Sequence, residues 1–256
     1  MVQKEEIINF WNQKPCGTQG IIPNKPDGNY FKKIRDNRYK KEPFIFQYAQ
    51  LNKWNGKKIL EIGCGIGIDG LEFARNGARY YGIDITPKSI ELAKHYFELN
   101  GYNDANLSVA DAESLPFEND FFDYIYSWGV LHHTPDAKKA IAEIFRVLKN
   151  EGEFTIMLYN RHSLVACQLY LKYGLLKFNP RVSLQNLFSK HHESPGTKAY
   201  TNKELRELFK DFSNVIITNI VTPYDTRITK NIYFPSFVRK FIPSNLGFFS
   251  VIQGKK

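Results

Sequence analysis

The 256-residue chain is 43% hydrophobic and 15% aromatic, with a formal net charge of +9 at neutral pH. This length and apolar content predict one sizeable core, as a single large domain or a domain with an inserted cap. The sequence has no apolar run of about 18 residues for a membrane span, and no apolar h-region of a secretory signal. Three cysteines without CxxC spacing favour a reduced, cytoplasmic location over a disulfide-rich secreted class.

The positive charge is unevenly distributed. Residues 1–56 carry 10 Lys/Arg and 5 Asp/Glu, residues 57–160 carry 10 and 16, and residues 161–256 carry 15 and 5. An acidic central part is therefore flanked by two basic segments. This pattern favours an acidic substrate or an anionic surface at the flanks, although a solvated basic face that serves solubility fits equally well.

Hydrophobic periodicity predicts helices over 3–12 and 32–52, separated by a loop rich in Pro and Gly. Strands then alternate with helices up to residue 159. The predicted strands are 58–62, 79–83, 106–110, 121–127 and 153–159, and the predicted helices are 68–76, 87–100 and 136–148. Strand–helix alternation with short connections is typical of a parallel sheet that is covered on both faces.

The stretch KKILEIGCGIGIDGLEF, residues 57–73, predicts a cofactor site. It reads as a short apolar strand that enters a loop with glycine at Gly63, Gly65 and Gly67, before a helix begins near Ile68. Glycine has no Cβ, so the loop can turn tightly and lie against a ligand. The unpaired N–H groups of the following helix favour a negatively charged or nucleotide-like group.

Two cofactor classes compete for this loop. Gly65, Gly67 and Gly70 match the GxGxxG pattern of nicotinamide-binding folds, with Asp84 ending the next strand. Two other features favour a different cofactor. Glu61 precedes the glycines in an E-x-G-x-G-x-G run, and Asp111 ends the third predicted strand within SVADAESLPFENDFFDYIYSWGVLHH.

Further motifs follow in the order D-A-E-x-L-P-F, F-D-x-I, L-H-H, E-I-F-R-V-L-K and N-E-G-E-F-T-I-M. With them, residues 57–160 resemble the class I S-adenosylmethionine-dependent methyltransferases. The resemblance implies an α/β fold: a doubly wound, seven-stranded, mostly parallel, Rossmann-like sheet with an antiparallel last strand and an added helical and irregular cap. It also implies three parts: an N-terminal helical cap (1–56), an S-adenosylmethionine-binding core (57–160), and a substrate cap with the final strands (161–256).

The resemblance assigns cofactor contacts to individual residues. The carboxylate of Asp84 would accept from both ribose hydroxyls, and Ile85 would lie against the adenine. Asp111 would accept from the adenine amino group, and the backbone N–H of Ala112 would meet a ring nitrogen. The other predicted cofactor-binding residues are Glu61, Gly63, Cys64, Gly65, Gly67, Ser127 and Trp128. Cys64 also fits a packing role and Trp128 a core role.

Methyl transfer needs the acceptor atom held in line with the methyl group, and a base helps where that atom carries a proton. His133, and less so His132, follows the fourth predicted strand, and histidine as a residue type can exchange a proton near neutral pH. We expect one of them to be the base. An orienting or structural role is the alternative.

Substrate-side residues are predicted from spacing and position. Arg35, Arg38 and Tyr39 are at helical spacing and could contact the cofactor carboxylate or an anionic acceptor; solvated helix charges are the alternative. Adjacent His191 and His192 would point apart in a strand, and no metal site is predicted there. Residues expected at the pocket mouth from position alone are Tyr159, Asn160, His162, Tyr200 and Tyr224.

Beyond residue 160 the pattern changes. A helix that is apolar nearly all round is predicted over 162–178, an irregular stretch follows through 191–200, and another helix is predicted over 201–210. Strands at 214–221 and 247–253 would pair antiparallel at the sheet edge, as the resemblance implies. The insertion 223–245 is rich in aromatics, Pro, Lys and Arg, and could cap the site, hold a lipid-like acceptor or rest on an anionic membrane.

The sequence thus predicts an S-adenosylmethionine-dependent enzyme that methylates an oxygen or nitrogen of a small, possibly anionic or lipid-like molecule. Two alternatives stay open: an NAD(P)-dependent oxidoreductase, and a protein that binds the cofactor without turnover, as a partner or sensor. Nucleic acid is an unlikely partner because no known binding module is visible. The oligomeric state is not predicted.

Overall fold

The strands form a single sheet in a computed structural model of the chain, which describes residues 3–18, 21–227 and 232–256. Their bounds are β1 (Lys58–Ile62), β2 (Arg79–Asp84), β3 (Asn106–Val109), β4 (Phe122–Trp128), β5 (Leu148–Tyr159), β6 (Ser213–Ile220) and β7 (Phe249–Lys255). The strand order is β3-β2-β1-β4-β5-β7-β6. The first five strands are parallel, and β7 is antiparallel to both β5 and β6. The predicted fold, with its antiparallel last strand, is confirmed.

The helices cover both faces of the sheet. They are α1 (Lys4–Gln13), α2 (Gly28–Lys41), α3 (Ile45–Ala49), α4 (Ile68–Arg75), α5 (Pro87–Glu98), α6 (Ala137–Val147), α7 (Leu164–Tyr173), α8 (Leu184–His191) and α9 (Asn202–Leu208). Side chains of a strand alternate between faces, so Ile59 and Leu60 of β1 enter different apolar cores. Burial on both faces explains why the central strands are continuous apolar runs.

Two predicted helices differ from the observed ones for identifiable reasons. The helix expected over 32–52 begins earlier, because Asp27 caps the backbone N–H of Tyr30, and it ends at Lys41. Pro43 disfavours helical backbone at Glu42, so a separate short helix, α3, follows. The helix expected over 162–178 ends at Tyr173, before Gly174.

Helix α8 was not predicted, since its eight residues lie in the stretch after residue 178 that was predicted as irregular. The side chain of Ser183 caps it by accepting from the backbone N–H of Asn186 at 3.2 Å. The insertion 223–245 holds short 3₁₀ turns, and its residues 228–231 lie outside the described ranges. Within those ranges, no helix has both the length and the apolar character needed to cross a bilayer.

Asp225 joins this insertion to the sheet. Its Oδ2 accepts from the backbone N–H groups of Thr222 (2.8 Å) and Phe248 (3.1 Å), whereas its buried Oδ1 has no partner among the described residues. Burial raises the pKa of Asp225 from 3.8 to about 6. The folded state therefore holds this proton more tightly than the unfolded chain does.

We predict a pH dependence of stability from this carboxyl. As pH rises from about 4 to 6, the unfolded chain loses the proton before the folded protein does. The free energy of unfolding of the wild type should therefore fall by about 2–3 kcal/mol relative to that of Asp225→Asn. Above pH 6 the difference should be constant. Urea unfolding of both proteins between pH 4 and 8 measures it, with exposed Asp211→Asn as control. A flat difference across this range would refute the assignment.

Candidate active site

The glycine loop between β1 and α4 has the backbone that the sequence predicts. Gly63, Gly65 and Gly67 have φ values of 73°, 54° and 81°, which L side chains rarely adopt. A Cβ on Gly63 would lie 2.3 Å from Val130, whereas a Cβ on Gly65 would meet no atom within 4 Å. The loop therefore packs on one side and leaves room for a ligand at Gly65.

Asp84 fastens this loop to the end of β2. Its Oδ2 accepts from the backbone N–H of Gly65 at 3.1 Å, and its Oδ1 accepts from the backbone N–H and hydroxyl of Thr86 at 2.9 and 2.7 Å. Burial raises its pKa, while the hydrogen bonds from Thr86 and Gly65 oppose that shift. A carboxylate has about four acceptor positions, so it can still accept from a ligand hydroxyl.

Asp111 has a partner that the sequence analysis missed. Lys4 of α1 lies 2.6 Å from Asp111 Oδ2 and 2.7 Å from Glu113. The helix α1 therefore closes over the end of β3, where the resemblance places the adenine. Ala112 is buried beside this ion pair, and Ile85 follows Asp84 in a half-buried position. No local pattern around Lys4 signals a contact with a residue more than a hundred positions away.

Three other predicted cofactor residues have their polar groups bonded within the protein or buried. The carboxylate of Glu61 accepts from the Tyr80 hydroxyl at 2.6 Å, and the hydroxyl of Ser127 donates to the Ile62 carbonyl at 3.0 Å. Cys64 is buried, which raises the pKa of its thiol. These side chains position the loop and the ends of β1 and β4.

Trp128 lies in an aromatic core. Its indole N–H donates to Glu42 Oε2 at 2.8 Å, and its ring stacks on Tyr126 with centroids 6.0 Å apart. Glu42 also accepts from the Tyr224 hydroxyl at 3.2 Å. The tryptophan thus links β4 to the segment after α2 and to the insertion.

The predicted substrate residues of α2 face α4. Arg38 forms two hydrogen bonds with the buried Asp69, through Nε at 2.8 Å and through Nη2, and the Tyr39 hydroxyl donates to the same carboxylate at 3.0 Å. Arg35 Nε donates to Glu72 Oε1 at 2.8 Å. The spacing of Arg35, Arg38 and Tyr39 therefore reflects the docking of α2 on the core, because each of the three side chains donates a hydrogen bond to a carboxylate of α4.

The side chains of the remaining pocket-mouth residues point to different sides of the sheet, although the backbones of Tyr159 and Tyr200 are hydrogen-bonded at 2.8 Å. Tyr159 packs with the aromatic side chains at the end of β7, whereas Tyr200 packs in the core on the opposite face. His162 is exposed, and its backbone N–H donates to Asn160 Oδ1 at 2.9 Å. Of these residues, Tyr159 is the one that reaches the two predicted histidines.

His133 lies beside a carboxylate that the sequence analysis missed. Its Nε2 is 3.2 Å from Glu193 Oε2, and the Tyr159 hydroxyl donates to the same oxygen at 2.8 Å. The Nε2–Oε2 separation is short, but it is not aligned as a hydrogen bond. On its other side, His133 Nδ1 is 2.8 Å from the Ser194 hydroxyl and 3.1 Å from that of Thr197.

Glu193 has the conformation and charge of a constrained functional group. Its φ of 53° is left-handed, which is uncommon for a residue other than glycine. Its pKa is lowered to about 2: burial opposes ionisation, but the nearby imidazole of His133 and the hydrogen bond from Tyr159 outweigh it. The carboxylate is therefore ionised at neutral pH. It lies in the stretch predicted as irregular, and the dense polar run HHESPGTKAY was its only signal in the sequence.

His132 is fully buried, with its ring 3.7 Å from that of Tyr159 and no hydrogen-bond partner for either nitrogen among the described residues. Burial lowers its pKa well below the ordinary value, so it is neutral. Ligand atoms of His132, His133 and Glu193 lie within 4.8 Å of one another, close enough to hold a metal ion. Sequence reasoning considered a metal only at His191 and His192.

Cys16 lies between the cofactor end and this cluster, because the charges of Arg38, Glu193 and Asp84 all act on its thiol. The side chain of Glu193 is 40% exposed, so a ligand can reach it. Trp11 of α1 packs beside this cluster, 5.1 Å from the His133 ring.

Known proteins share the central part of the chain. A family model described as a methyltransferase domain matches residues 60–156. An uncharacterized methyltransferase of Bacillus subtilis (strain 168), YcgJ, is 35% identical over 100 residues, which cover 39% of this chain and 40% of that protein. A sterol 4-C-methyltransferase of Caenorhabditis elegans is 38% identical over 98 residues, covering 38% and 29%. The match thus spans about two fifths or less of these relatives.

Solved structures share the fold over a longer span. Geranyl diphosphate C-methyltransferase from Streptomyces coelicolor A3(2), in complex with Mg²⁺, geranyl diphosphate and S-adenosyl-L-homocysteine, has a TM-score of 0.65. It is 15% identical and covers 98% of this chain and 97% of its own. A methyltransferase structure from Methanosarcina mazei has a TM-score of 0.56 at 25% identity, covering 84% and 97%.

The open side of Gly65 gives a test of the ligand site. In Gly65→Ala the new methyl group would project into the space that the ligand needs. Gly101→Ala is a matched control, because Gly101 has φ of 81° and equally open surroundings at the end of α5. Both variants should lose about 1–2 kcal/mol of stability from left-handed backbone.

Only Gly65→Ala should also lose affinity for S-adenosylhomocysteine, by at least about tenfold if the methyl displaces one contact worth about 1.4 kcal/mol or more. Calorimetric titration of the three proteins measures this. Equal affinities would place the ligand elsewhere.

The pair between Arg38 and Asp69 gives a test of how α2 is held. Asp69→Ala would leave the guanidinium of Arg38 without its carboxylate, which should cost about 3–5 kcal/mol. Asp36→Ala on α2, the helix that carries Arg38, removes the exposed pair with Lys32 and should cost less than about 1 kcal/mol. Urea unfolding distinguishes the two. Similar losses would mean that the buried pair does not hold α2.

Proposed function

Because the chain belongs to the class I S-adenosylmethionine-dependent methyltransferases, we propose that it methylates an oxygen or nitrogen of a small, neutral, lipid-like acceptor. The observation that carries the proposal is the pair of His133 and ionised Glu193, since Glu193 and Asp84, beside the glycine loop, both act on the same thiol of Cys16. The space between them is the proposed acceptor cavity. A base beside the cofactor site suits an acceptor atom that carries a proton.

Residues at the loop fit the cofactor. Gly65 leaves room for it, Asp84 retains acceptor capacity for the ribose hydroxyls, and the backbone amides at the start of α4 face the same end of the sheet. When bound, S-adenosylmethionine supplies a methyl group on a positively charged sulfur. The protein has to orient the acceptor, exclude water and receive the acceptor's proton.

His133 is suited to hold that proton at Nε2. This atom is buried and lies 3.2 Å from the 40% exposed Glu193, so the carboxylate meets the acceptor and passes the proton on. The hydroxyls of Ser194 and Thr197 can accept from a protonated Nδ1, which leaves a lone pair on Nε2. Once Nε2 is protonated, the ionised Glu193 lies 3.2 Å away and stabilises the imidazolium. The Tyr159 hydroxyl holds the Glu193 carboxylate in place. His132, neutral and stacked on Tyr159, has an orienting role.

The charges of the cavity favour a neutral acceptor over an anionic one. Glu193 is ionised, and the guanidinium of Arg38 is already paired with Asp69. Aromatic side chains such as Trp11 and Tyr159 complete the wall. Relatives over the same domain support an apolar acceptor: one is named a sterol 24-C-methyltransferase of Yarrowia lipolytica, and another a phthiotriol/phenolphthiotriol dimycocerosates methyltransferase of Mycobacterium leprae.

The acceptor can be sought directly. The purified chain is incubated with methyl-labelled S-adenosylmethionine and fractionated cell extract, and labelled products are identified by mass spectrometry. We expect label in the lipid-rich fractions. Tight binding of S-adenosylhomocysteine with no labelled product in any fraction would favour a cofactor-binding partner or sensor. Binding of NADH in its place would favour the oxidoreductase alternative.

We predict that His133→Ala lowers the methylation rate by about 10²–10⁴-fold, the usual contribution of a positioned base. Glu193→Gln removes the charge that stabilises the imidazolium and should lower the rate at least about tenfold, since one charge-assisted hydrogen bond is worth about 1.5–3 kcal/mol. Affinity for S-adenosylhomocysteine should stay within about twofold in both variants.

The matched control is His191→Ala, since His191 is an exposed histidine two positions before Glu193, stacked on Tyr173. Single-turnover rates with the identified acceptor measure all four proteins. A normal rate in His133→Ala would remove that residue from the chemistry.

A further inference from the structure

Two segments outside the sheet carry most of the exposed apolar side chains. Nine of the 14 large hydrophobic residues that are exposed among the described residues fall in 171–178 and 232–241. Phe178 and Phe241 are 95% and 80% exposed, and Leu176 is 75% exposed. Scattered apolar residues are normal on a protein surface, but such a concentration marks an interaction site.

The same segments are purely basic. Residues 171–181 and 232–241, called here the basic apolar surface, contain no Asp or Glu. Within the described ranges, none of their cations pairs with a carboxylate. These cations are Lys172, Lys177, Arg181, Arg239 and Lys240.

Hydrogen bonds join both segments to one 3₁₀ turn, Pro223–Thr226. Gln168 of α7, the helix that leads into residues 171–181, donates to the backbone carbonyl of Asp225 at 3.1 Å. The backbone N–H of Phe234 donates to the backbone carbonyl of Thr226 at 2.8 Å. In the same turn, Tyr224 reaches Glu42, which also accepts from Trp128. The turn therefore connects the basic apolar surface with the aromatic core at the end of β4.

We propose that the basic apolar surface docks on an anionic lipid bilayer. Exposed Phe and Leu suit the boundary between headgroups and acyl chains, and unpaired Lys and Arg suit anionic headgroups. A second copy of the chain is a poor occupant, because a two-fold interface would bring two sets of unpaired cations together. Docking would place the cavity against the bilayer from which a lipid-like acceptor enters. The docking itself does not depend on methyl transfer.

Vesicle sedimentation tests the proposal without cofactor or acceptor, so its outcome is separate from that of the proposed enzyme activity. The full chain is mixed with vesicles of phosphatidylcholine alone or with one quarter phosphatidylglycerol. We expect partition into the anionic vesicles, little into the neutral ones, and a strong reduction in 0.5 M NaCl.

Variants then locate the surface. Phe237→Ser with Phe241→Ser should lower the partition coefficient at least about tenfold, given the apolar area that two phenyl rings bury. Arg239→Gln with Lys240→Gln should lower it about 25-fold for anionic vesicles alone, at roughly fivefold per cation. The matched control is Leu99→Ser with Ile216→Ser, two exposed apolar residues elsewhere, which should leave partition unchanged.

Calorimetric titration with S-adenosylhomocysteine checks that each variant is folded. Three outcomes would overturn the proposal: no partition of the wild-type chain, equal losses in the control variant, or equal binding to neutral vesicles. A concentration-dependent dimer in sedimentation equilibrium that Phe237→Ser with Phe241→Ser abolishes would assign the surface to a second copy. Binding of a single-stranded oligonucleotide in preference to anionic vesicles would assign it to nucleic acid.

Discussion

The structure depends on one short backbone path: the left-handed loop of Gly63, Gly65 and Gly67, held to the neighbouring strand by Asp84. The chain must turn from the end of β1 into α4 within five residues, and the backbone N–H groups of Gly63 and Cys64 donate to the Ile83 carbonyl while doing so. Helix α4 can then lie close to β2, where a Cβ on Gly70 would be 2.1 Å from the Tyr80 hydroxyl. A side chain at Gly63 or Gly70 would move the helix that carries Asp69 and Glu72, and with it the attachment of α2.

Polar bonds at the edge of the core attach the flanking segments. Arg38 and Arg35 hold α2 on α4, Lys4 holds α1 over Asp111, and Glu42 connects Trp128 with Tyr224. The contacts at Asp111 and Trp128 lie where parallel strands end, so the flanks close over the carboxyl edge of the sheet there. Ligands in doubly wound sheets bind at that edge. Three cations of the N-terminal flank form these ion pairs, so the uneven charge of the sequence is partly structural.

Local patterns in the sequence predicted the strands, the glycine loop and the place of His133, because alternation and turn residues act over a few positions. They did not predict Glu193, Lys4 or Cys16, which reach the site from segments whose approach is set by packing between distant parts of the chain. The spacing of Arg35 and Tyr39 gave a shared helix face but not the carboxylates that meet it. Helix α8 was missed for a related reason: with eight residues and one serine cap, it depends on burial of Leu187 and Phe188 for its stability.

The cavity and the basic apolar surface place opposite demands on the acceptor. Ionised Glu193 disfavours an anion near His133, whereas the unpaired cations outside favour anionic groups. A free anionic metabolite would suit only the cations of the basic apolar surface, and a cation would suit only the carboxylate of Glu193. A neutral amphipathic molecule dissolved in an anionic bilayer would satisfy both, because the cations would contact the surrounding lipid headgroups while the acceptor's hydroxyl or amine would enter the proposed cavity. In this proposal the membrane and the acceptor are recognised by different charges, and the Pro223–Thr226 turn connects the two regions.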